Sequence, residues 1–505
     1  MSVFPAIVTL LFLAASSVQA RSLPYSTVER IRSLSSEGWQ SAYNFKIADA
    51  NTLFEEANRI EPLYPRPYLG KAMIAFWRYI VSRHEDEKEE FLRFADKTID
   101  AAEKYEDRYG EEADVKLCLA TIYGYRSFVY GRSRSYLKGA WDGKKSYDYF
   151  CDALKLDPKL YDAYLGVGLF HYFVTFVPKT LQWVIGVMGI EGDAQRGIRE
   201  IRLAAERGTY SKTEAQYYLA QFLPWHEGEF GESEKILTEL HGKYPANSLI
   251  TFTLSVWEMR NADMSSAKAQ LGALLNSNED DVAGIRSFAS YKLGECSFRL
   301  SSFDEAKKNY INFLDQYRDH TYRATANFRV GLCYEFEGNR DSALAYYKKA
   351  SESDGRFGDD AYAVRRSQIY LYSAVTRTDS MLFAAQNAQK CGMYDEAIRM
   401  YSSILQGPAL SADLHAEATY GLGETYVDRR SYEAALPIFR QLTAINVGKE
   451  LWLKPWSHYY CGLCLVKTGD KANAKKEFQS SLGFDEFDFK NWLEFRANRE
   501  LEQLK

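Results

Sequence analysis

The sequence has few of the residues and spacings on which enzymes and metal sites commonly depend. There are only 7 histidines. His171 lies in an apolar run and His226 follows Pro224-Trp225, settings that indicate structural roles. The spacings G-x-S-x-G, H-E-x-x-H and G-x-x-x-x-G-K-(S/T) do not occur. We therefore predict no catalytic residue, no cofactor and no metal ion. The remaining alternative, an unrecognised hydrolase, requires a polar pocket with converging titratable groups.

A strong excess of either charge is also missing. The formal net charge is −5 over 505 residues, whereas a nucleic-acid partner usually requires a concentrated basic surface. We therefore expect a protein or peptide partner and no nucleic acid. The runs His84–Glu90 and Glu103–Asp114 are rich in charges of both signs, which is typical of solvated helix faces. A docking surface for a basic partner is the alternative for these runs.

Cysteine is scarce and has no metal-binding spacing. Seven cysteines cannot all pair with one another. Cys461-x-x-Cys464 is the single C-x-x-C, and no second pair or regularly spaced histidine lies near it, as a structural zinc site would require. Cys296, Cys333 and Cys464 each follow a recurring glycine by two positions, so we expect them to pack as small apolar side chains.

Basic residues are absent before the apolar run at the start of the chain. Val3 to Ser17 is almost wholly apolar and is followed by Val18-Gln19-Ala20, a pattern typical of a secretory signal peptide cut after Ala20. The run is shorter than the roughly 20 residues of a membrane span, although a retained anchor is the alternative. We predict a signal peptide at 1–20 and an exported protein that is periplasmic or secreted. Association of the exported protein with the cell envelope is a further alternative. The sequence has no cysteine after the run to carry a lipid anchor.

A repeat is the strongest feature that is present. Four glycines are each followed twelve positions later by alanine and sixteen positions later by an aromatic residue. These sets are Gly294-Ala306-Tyr310, Gly331-Ala343-Tyr347, Gly423-Ala435-Phe439 and Gly462-Ala474-Phe478. Looser copies occur around Phe54, Phe150 and Leu237, and each ends at a proline: Pro62, Pro158 and Pro245.

The register has a physical explanation. Glycine inside a helix costs about 1 kcal/mol relative to alanine, so its recurrence indicates a close contact between two antiparallel helices. Proline ends the second helix of a pair. Gly338, Gly392 and Gly469 lie between paired helices, where a tight turn favours a positive φ. The richness in aromatic residues is interpreted as packing between such pairs.

This pattern resembles the tetratricopeptide repeat, which has a Leu-Gly, a Tyr and then Ala, Phe, Ala and Pro over about 34 residues. The resemblance implies an all-α fold, a superhelix (α-solenoid) of antiparallel helix pairs. We predict a regular array over 261–482. The segment 483–505, which contains Phe489, Trp492, Leu493 and Phe495, is predicted to form a capping helix.

Residues 21–260 fit the repeat less regularly and are predicted to form a divergent helical domain. Tyr164 to Phe173 contains Gly166-x-Gly168-Leu169-Phe170, followed by Val177-Pro178, Gly192-Asp193, Gly197 and Leu203-Ala204-Ala205. This arrangement resembles the tetratricopeptide repeat protein 39 and inclusion-body-clearance family, which has exported bacterial members. The resemblance implies a helical-repeat adaptor and no catalytic residues.

The segment 164–190 carries one charged residue, Lys179. Pro178 and Lys179 divide it into two pieces that suit buried helices better than a membrane span. We predict an apolar helical hairpin within the array. The alternatives are a hydrophobic groove for a partner and a contact with a membrane surface.

Together these observations predict an exported, non-catalytic scaffold that binds another protein through the inner face of a helical superhelix. A membrane- or lipid-associated adaptor that uses the 164–190 hairpin is the alternative. The sequence does not identify the partner-binding residues.

Overall fold

A computed structural model gives the fold of the chain. It describes residues 23–504 except 83, 176, 178–185, 187–188, 227–229, 278–283, 318, 357–358 and 408–409, and it does not describe the side chains of 225, 226 and 230. The predicted signal peptide at 1–20 lies outside the described residues, as does most of the predicted apolar hairpin beyond Thr175. Within the described residues there are 24 helices and no strands, which confirms the all-α prediction.

The chain divides into two compact units, residues 1–236 and 237–505. The repeat pattern predicts a boundary at 260, which is the end of the helix Ser248–Arg260. Unit 1 contains helices α1 Tyr25–Tyr43, α2 Ile47–Ile60, α3 Arg66–Ser82, α4 Glu85–Tyr109, α5 Ala113–Arg132, α6 Tyr136–Leu156, α7 Ala163–Val174, α8 Ala194–Arg207, α9 Lys212–His226 and the first half of α10 Phe230–Lys243.

Unit 2 contains the more regular helix pairs. They are α11 Ser248–Arg260 with α12 Met264–Asn276, α13 Ile285–Arg299 with α14 Phe303–Gln316, α15 Arg323–Phe336 with α16 Arg340–Ser351, α18 Arg377–Lys390 with α19 Tyr394–Leu405, α20 Ala412–Asp428 with α21 Tyr432–Ala444, and α22 Leu453–Lys467 with α23 Lys471–Ser481. Two further helices, α17 Asp360–Tyr372 and α24 Lys490–Gln503, belong to no pair.

The recurring glycines let the two helices of a pair approach closely. A Cβ at Gly331 would lie 2.5 Å from the ring of Tyr347, and a Cβ at Gly462 would lie 2.7 Å from the ring of Phe478. The aromatic side chain therefore occupies the space that a side chain at the glycine of its own pair would need. Tyr401 also contacts Gly421 of the following pair, so the same kind of ring joins successive pairs.

The expected turn and stop signals are confirmed. Gly338, Gly392 and Gly469 have φ values of +76°, +75° and +95° and lie between paired helices. The helices α2, α6 and α10 end two residues before their prolines. Proline lacks the backbone N–H that would continue the helix, which accounts for these ends.

Two segments singled out in the sequence have mixed environments. In α24, Leu493 and Ala497 are buried in a cluster with residues of α22 and α23, whereas Trp492 and Phe495 are largely exposed. Within 164–190, α7 packs on α8 so closely that a Cβ at Gly168 would lie 2.7 Å from the carbonyl oxygen of Gly197. Among the residues that the structure describes, no helix has the length and apolar character to cross a membrane.

Candidate partner-binding face

Polar side chains line one side of the first helices in unit 2, and we call this set the first-helix face. It consists of Lys292, Glu295 and Arg299 on α13, Arg329 on α15, Asn387, Gln389 and Lys390 on α18, Glu424 and Asp428 on α20, and Tyr460 on α22. The spacing of Lys292, Glu295 and Arg299 is i, i+3 and i+7, which places them on one side of α13. The recurring glycines point instead toward the second helices.

The α13 and α15 part of this face carries two neighbouring guanidinium groups, whose charges, with that of Lys292, outweigh burial and lower the pKa of Glu295 to about 2. Arg299 donates a hydrogen bond to Asn387 Oδ1 at 3.3 Å, and Arg329 lies over the ring of Phe298 at 4.7 Å from its centroid. Nη1 of Arg329 is buried and has no hydrogen-bond partner. Burial lowers the pKa of Arg299, and the neighbouring charge of Arg329 lowers it further. Lys292, Arg299 and Arg329 outnumber the carboxylates of Glu295 and Asp359 with which they interact, so a further anionic group would be stabilised at this position.

The α18 and α20 part forms a network of opposite charges. Gln389 Nε2 donates to Glu424 and Asp428 at 2.8 Å each, and Lys390 Nζ donates to Glu424 at 3.3 Å. Burial alone would lower the pKa of Lys390, but the carboxylates of Glu424 and Asp428 raise it above its ordinary value. Tyr460 donates its hydroxyl to Glu424 at 3.1 Å, which extends the network to α22.

Asn387 joins these two parts into one face. Its Nδ2 donates to the carbonyl oxygen of Phe298 at 2.9 Å, across 89 positions of the chain. The Sγ of Cys391 also donates to the carbonyl of Arg299, at 3.5 Å. Helices α13 and α18 are therefore in contact although four helices separate them in the sequence.

The unpaired helix α17 is held in unit 2 by a buried ionic cluster. Arg366 Nη1 donates to Glu450 at 3.0 Å and to Glu417 at 3.3 Å, and Arg365 donates to Glu450 and Asp488 at 2.7 Å each. Burial raises the pKa of Glu417. The pKa of Glu450 is lowered: burial opposes this, but the Arg365 hydrogen bond and the two arginine charges outweigh it. These ion pairs tie α17 to three other segments of unit 2, which indicates a structural role.

A second buried ion pair corrects the sequence interpretation of the Glu103–Asp114 run. Asp114 is not solvated: it is buried, accepts a hydrogen bond from Tyr64 at 2.6 Å, and is paired with Arg66. Arg66 stacks on Tyr210 at 3.7 Å from the ring centroid. The partners lie 48 positions or more from Asp114, so no local spacing in the sequence could reveal this site.

His171 also has an acidic companion that the sequence did not indicate. Its Nδ1 lies 2.5 Å from Glu200 on α8, and its Nε2 lies 3.2 Å from the hydroxyl of Tyr147 on α6. The ring is buried and both nitrogens have partners, in keeping with the structural role predicted for it. The side chain of His226 lies outside the described residues.

The cysteines pack as the repeat register predicted. Cys296, Cys333, Cys461 and Cys464 are fully buried, and all seven cysteines are free. Burial raises the pKa of Cys296, Cys333 and Cys464 to about 12, so these thiols stay protonated at neutral pH. In the part of the chain that the structure describes, no group of three or more His, Cys, Asp or Glu side chains is arranged to hold a metal ion.

Comparisons with known proteins agree with the repeat register. The family model for the tetratricopeptide repeat matches residues 324–356, which span most of α15 and all of α16. A tetratricopeptide repeat protein from Parabacteroides merdae ATCC 43184 is 14% identical, with 57% of this chain and 98% of that chain covered and a TM-score of 0.27. YrrB, a TPR protein with an unusual peptide-binding site, is 17% identical, with 41% and 90% covered and a TM-score of 0.21.

A third solved structure, the TPR2AB domain of yeast Sti1 in a pHSP90 complex, is 12% identical. The match covers 51% of this chain and 96% of that chain, with a TM-score of 0.21. The narrower resemblance of residues 40–260 to the tetratricopeptide repeat protein 39 family stays a prediction.

Proposed function

We propose that the chain is a tetratricopeptide-repeat scaffold that binds a segment of a partner protein. The family model for the repeat matches residues 324–356, and stacked repeats of this kind form extended binding surfaces. The first-helix face is the proposed binding surface. One observation carries this proposal: the cationic groups of Lys292, Arg299 and Arg329 lie together and outnumber the carboxylates of Glu295 and Asp359 beside them. A ligand that supplies an acidic group would offset the excess positive charge.

The charges of the face define the partner's chemistry. A carboxylate of the partner would sit against Arg299 and Arg329, and a polar or basic group would sit against Glu424 and Asp428. The partner segment is therefore expected to carry an acidic residue or its terminal carboxylate at one end of the contact. Recessed aromatic and arginine side chains of this kind commonly supply most of the binding energy at protein interfaces.

The proposed role is non-catalytic. The titratable clusters at Arg66, His171 and Arg366 consist of groups that pair with one another between packed helices. Buried thiols with raised pKa values are poor nucleophiles. These features indicate that the buried ionisable groups stabilise the fold and do not take part in catalysis.

Export is part of the same proposal and rests on residues 1–20. N-terminal sequencing of the protein recovered from the cell envelope or the medium tests it. We expect the mature chain to begin at Arg21 after cleavage behind Ala20. Recovery of the chain in the cytoplasm with its first twenty residues intact would contradict export.

The binding role is tested by affinity capture with residues 21–505 from an envelope extract, followed by mass spectrometry. We compare the unchanged chain with Arg329→Glu on the face and with Lys348→Glu, an exposed lysine on the second helix α16. A specific partner is expected with the unchanged chain and with Lys348→Glu, and its recovery should fall about tenfold or more with Arg329→Glu.

Circular dichroism and thermal unfolding establish that both variants are folded. Capture that is equal for both variants would place the partner elsewhere on the chain. The absence of any specific partner under several salt conditions would refute the scaffold itself.

The membrane-associated alternative rests on the 164–190 segment. Its described part includes Phe173, whose side chain is about half exposed on α7. Vesicle co-sedimentation of Phe173→Asp tests this alternative, because a charge at that position would oppose insertion into lipid.

A further inference from the structure

The turn between α5 and α6 exposes a group of large apolar side chains, which we call the hairpin tip. It spans residues 128–141 and includes Phe128, Tyr136, Leu137 and Trp141, which are 52%, 64%, 79% and 69% exposed. Every residue of α5, of α6 and of the turn between them is described. Single exposed apolar residues are common on protein surfaces, but a cluster of four around one turn marks an interaction site.

The packing of the turn explains why these side chains cannot be buried within the hairpin. Ser127 Oγ donates to the carbonyl of Gly139 at 2.7 Å, and the Ser135 N–H donates to the carbonyl of Tyr130 at 2.8 Å. A Cβ at Gly139 would lie 3.1 Å from the carbonyl oxygen of Ser127. The facing sides of α5 and α6 are therefore in direct contact.

The outer side of α6 carries the exposed residues. Leu137, Trp141 and Lys144 recur at helical spacing and lie on the side of α6 opposite its buried residues Gly139, Ser146 and Phe150. Tyr136 is exposed at the first position of the helix. Phe128 rests with one edge on Phe76 of α3, at a centroid distance of 6.0 Å. The turn thus projects a row of aromatic and aliphatic side chains into solvent.

The same segment is basic. Arg132, Arg134 and Lys138 are exposed, and no acidic residue occurs between residues 127 and 141. The nearest carboxylate in the sequence, Asp142, is buried and accepts hydrogen bonds from Arg126 at 2.6 and 3.1 Å. Its charge is therefore compensated by a residue outside the tip.

We propose that the hairpin tip binds the surface of a lipid bilayer that contains anionic lipids. Tryptophan and tyrosine concentrate at membrane interfaces, where the ring is partly buried and the polar atom stays hydrated. The arginines and the lysine would contact lipid phosphates while Leu137 and Trp141 enter the acyl region. This proposal is independent of the first-helix face.

Co-sedimentation with vesicles tests the proposal. Residues 21–505 contain every described helix and lack the apolar segment 1–20, which would itself bind lipid. We compare vesicles of phosphatidylcholine alone with vesicles of equal parts phosphatidylcholine and phosphatidylglycerol. Binding to the anionic vesicles is expected, with at least about tenfold weaker binding to the neutral ones and a decrease as salt is raised.

Two variants and two controls locate the contact. Leu137→Ser with Trp141→Ser, and separately Arg132→Glu with Lys138→Glu, should each weaken binding to anionic vesicles about tenfold or more. Tyr372→Ser removes an aromatic side chain that is 91% exposed on α17 and should leave binding unchanged. Phe173→Asp should also leave it unchanged. All replaced side chains are exposed, so unfolding temperatures should stay close to that of the unchanged chain.

Three outcomes would overturn the proposal. In the first, the unchanged chain does not bind anionic vesicles. In the second, Leu137→Ser with Trp141→Ser binds them as well as the unchanged chain does, or Phe173→Asp alone abolishes binding. In the third, the unchanged chain does not bind vesicles and instead crosslinks through the tip to an acidic protein. The Leu137→Ser, Trp141→Ser variant does not crosslink to that protein.

Discussion

At the scale of single residues, the fold depends on rings that occupy the space above glycines. Tyr347 over Gly331 and Phe478 over Gly462 are fully buried, so the ring has no free space into which it could move. A side chain added at either glycine would overpack this interior and strain it. The conformational cost of a glycine within a helix is thereby offset by a tight contact between the two helices.

Gly331→Ala should therefore destabilise the protein by about 1–3 kcal/mol, because the new Cβ would lie 2.5 Å from the Tyr347 ring. Gly272→Ala in α12 is the matched control: a Cβ there meets no atom within 4 Å. The control should be stabilising by about 0.5–1 kcal/mol through helix propensity. Chemical denaturation measures both changes, and equal stability of the two variants would refute the ring-over-glycine account.

A second prediction concerns Glu214 in unit 1. Burial raises the pKa of Glu214 to about 7, and the hydrogen bond from Tyr125 opposes this shift only in part. The Glu214 carboxyl keeps its proton to a higher pH in the folded protein than in the unfolded chain. The stability of the fold therefore falls as the pH rises from 4.5, the ordinary pKa, to about 7. Above that range the cost is constant.

Glu214→Gln should remove this cost. Above about pH 7, the free energy of unfolding of this variant should exceed that of the unchanged chain by about 1–3 kcal/mol. This difference should vanish as the pH approaches 4.5. Denaturation across this pH range measures the difference. Glu206→Gln, at an exposed position on α8, should show no such trend. A gain at Glu214→Gln that does not depend on pH would contradict the assignment.

At the scale of elements, α17 interrupts the alternation of first and second helices. It follows α16 without a partner helix, and Arg365 and Arg366 fix it to carboxylates of α20 and of the segments before α22 and α24. The stretch 354–376 lacks the Gly, Ala and aromatic spacing of its neighbours. The sequence therefore contained no positive signal for how this helix packs.

Arg366→Ala should cost about 3–5 kcal/mol of stability, because it leaves Glu417 buried without its cation and removes one of the two arginines paired with Glu450. Arg429→Ala breaks the exposed pair with Asp395 in the same unit and should change stability by less than about 1 kcal/mol. Thermal or chemical unfolding measures both variants. A small effect at Arg366 would mean that α17 is held mainly by its apolar contacts.

Whether a contact could be predicted from the sequence depends on how far apart its two residues lie along the chain. Gly331 and Tyr347 lie within one pair, and their spacing recurs, so the sequence revealed both the repeat and its packing. Arg66 with Asp114, and Asn387 with Phe298, come from distant parts of the chain and belong to no repeat. The hairpin tip was missed because its aromatic residues were attributed to packing, whereas Trp141 is exposed.

At the scale of the whole molecule, the chain consists of two compact units. Repeat arrays gain stability mostly from neighbouring pairs, so a local defect should be felt in its own unit first. In unit 1 a large apolar cluster extends from Val28 to Val129, and in unit 2 others surround Tyr310 and Phe439.

We therefore expect scanning calorimetry of residues 21–505 to resolve more than one transition. Gly331→Ala should shift a transition that Glu214→Gln leaves in place, and the reverse should hold above about pH 7. If both substitutions shift one common transition, the two units unfold as a single cooperative body.

The bond between Asn387 and the backbone of Phe298 has a mechanical consequence for unit 2. A stack of helix pairs is elastic, because small rotations at each interface add up along the array and let it stretch like a spring. Here a hydrogen bond joins two residues 89 positions apart and connects the two ends of this part of the array. Helices α13 and α18 cannot separate without breaking this hydrogen bond, so the spacing of Arg299 and Asn387 on the first-helix face is fixed before a ligand arrives.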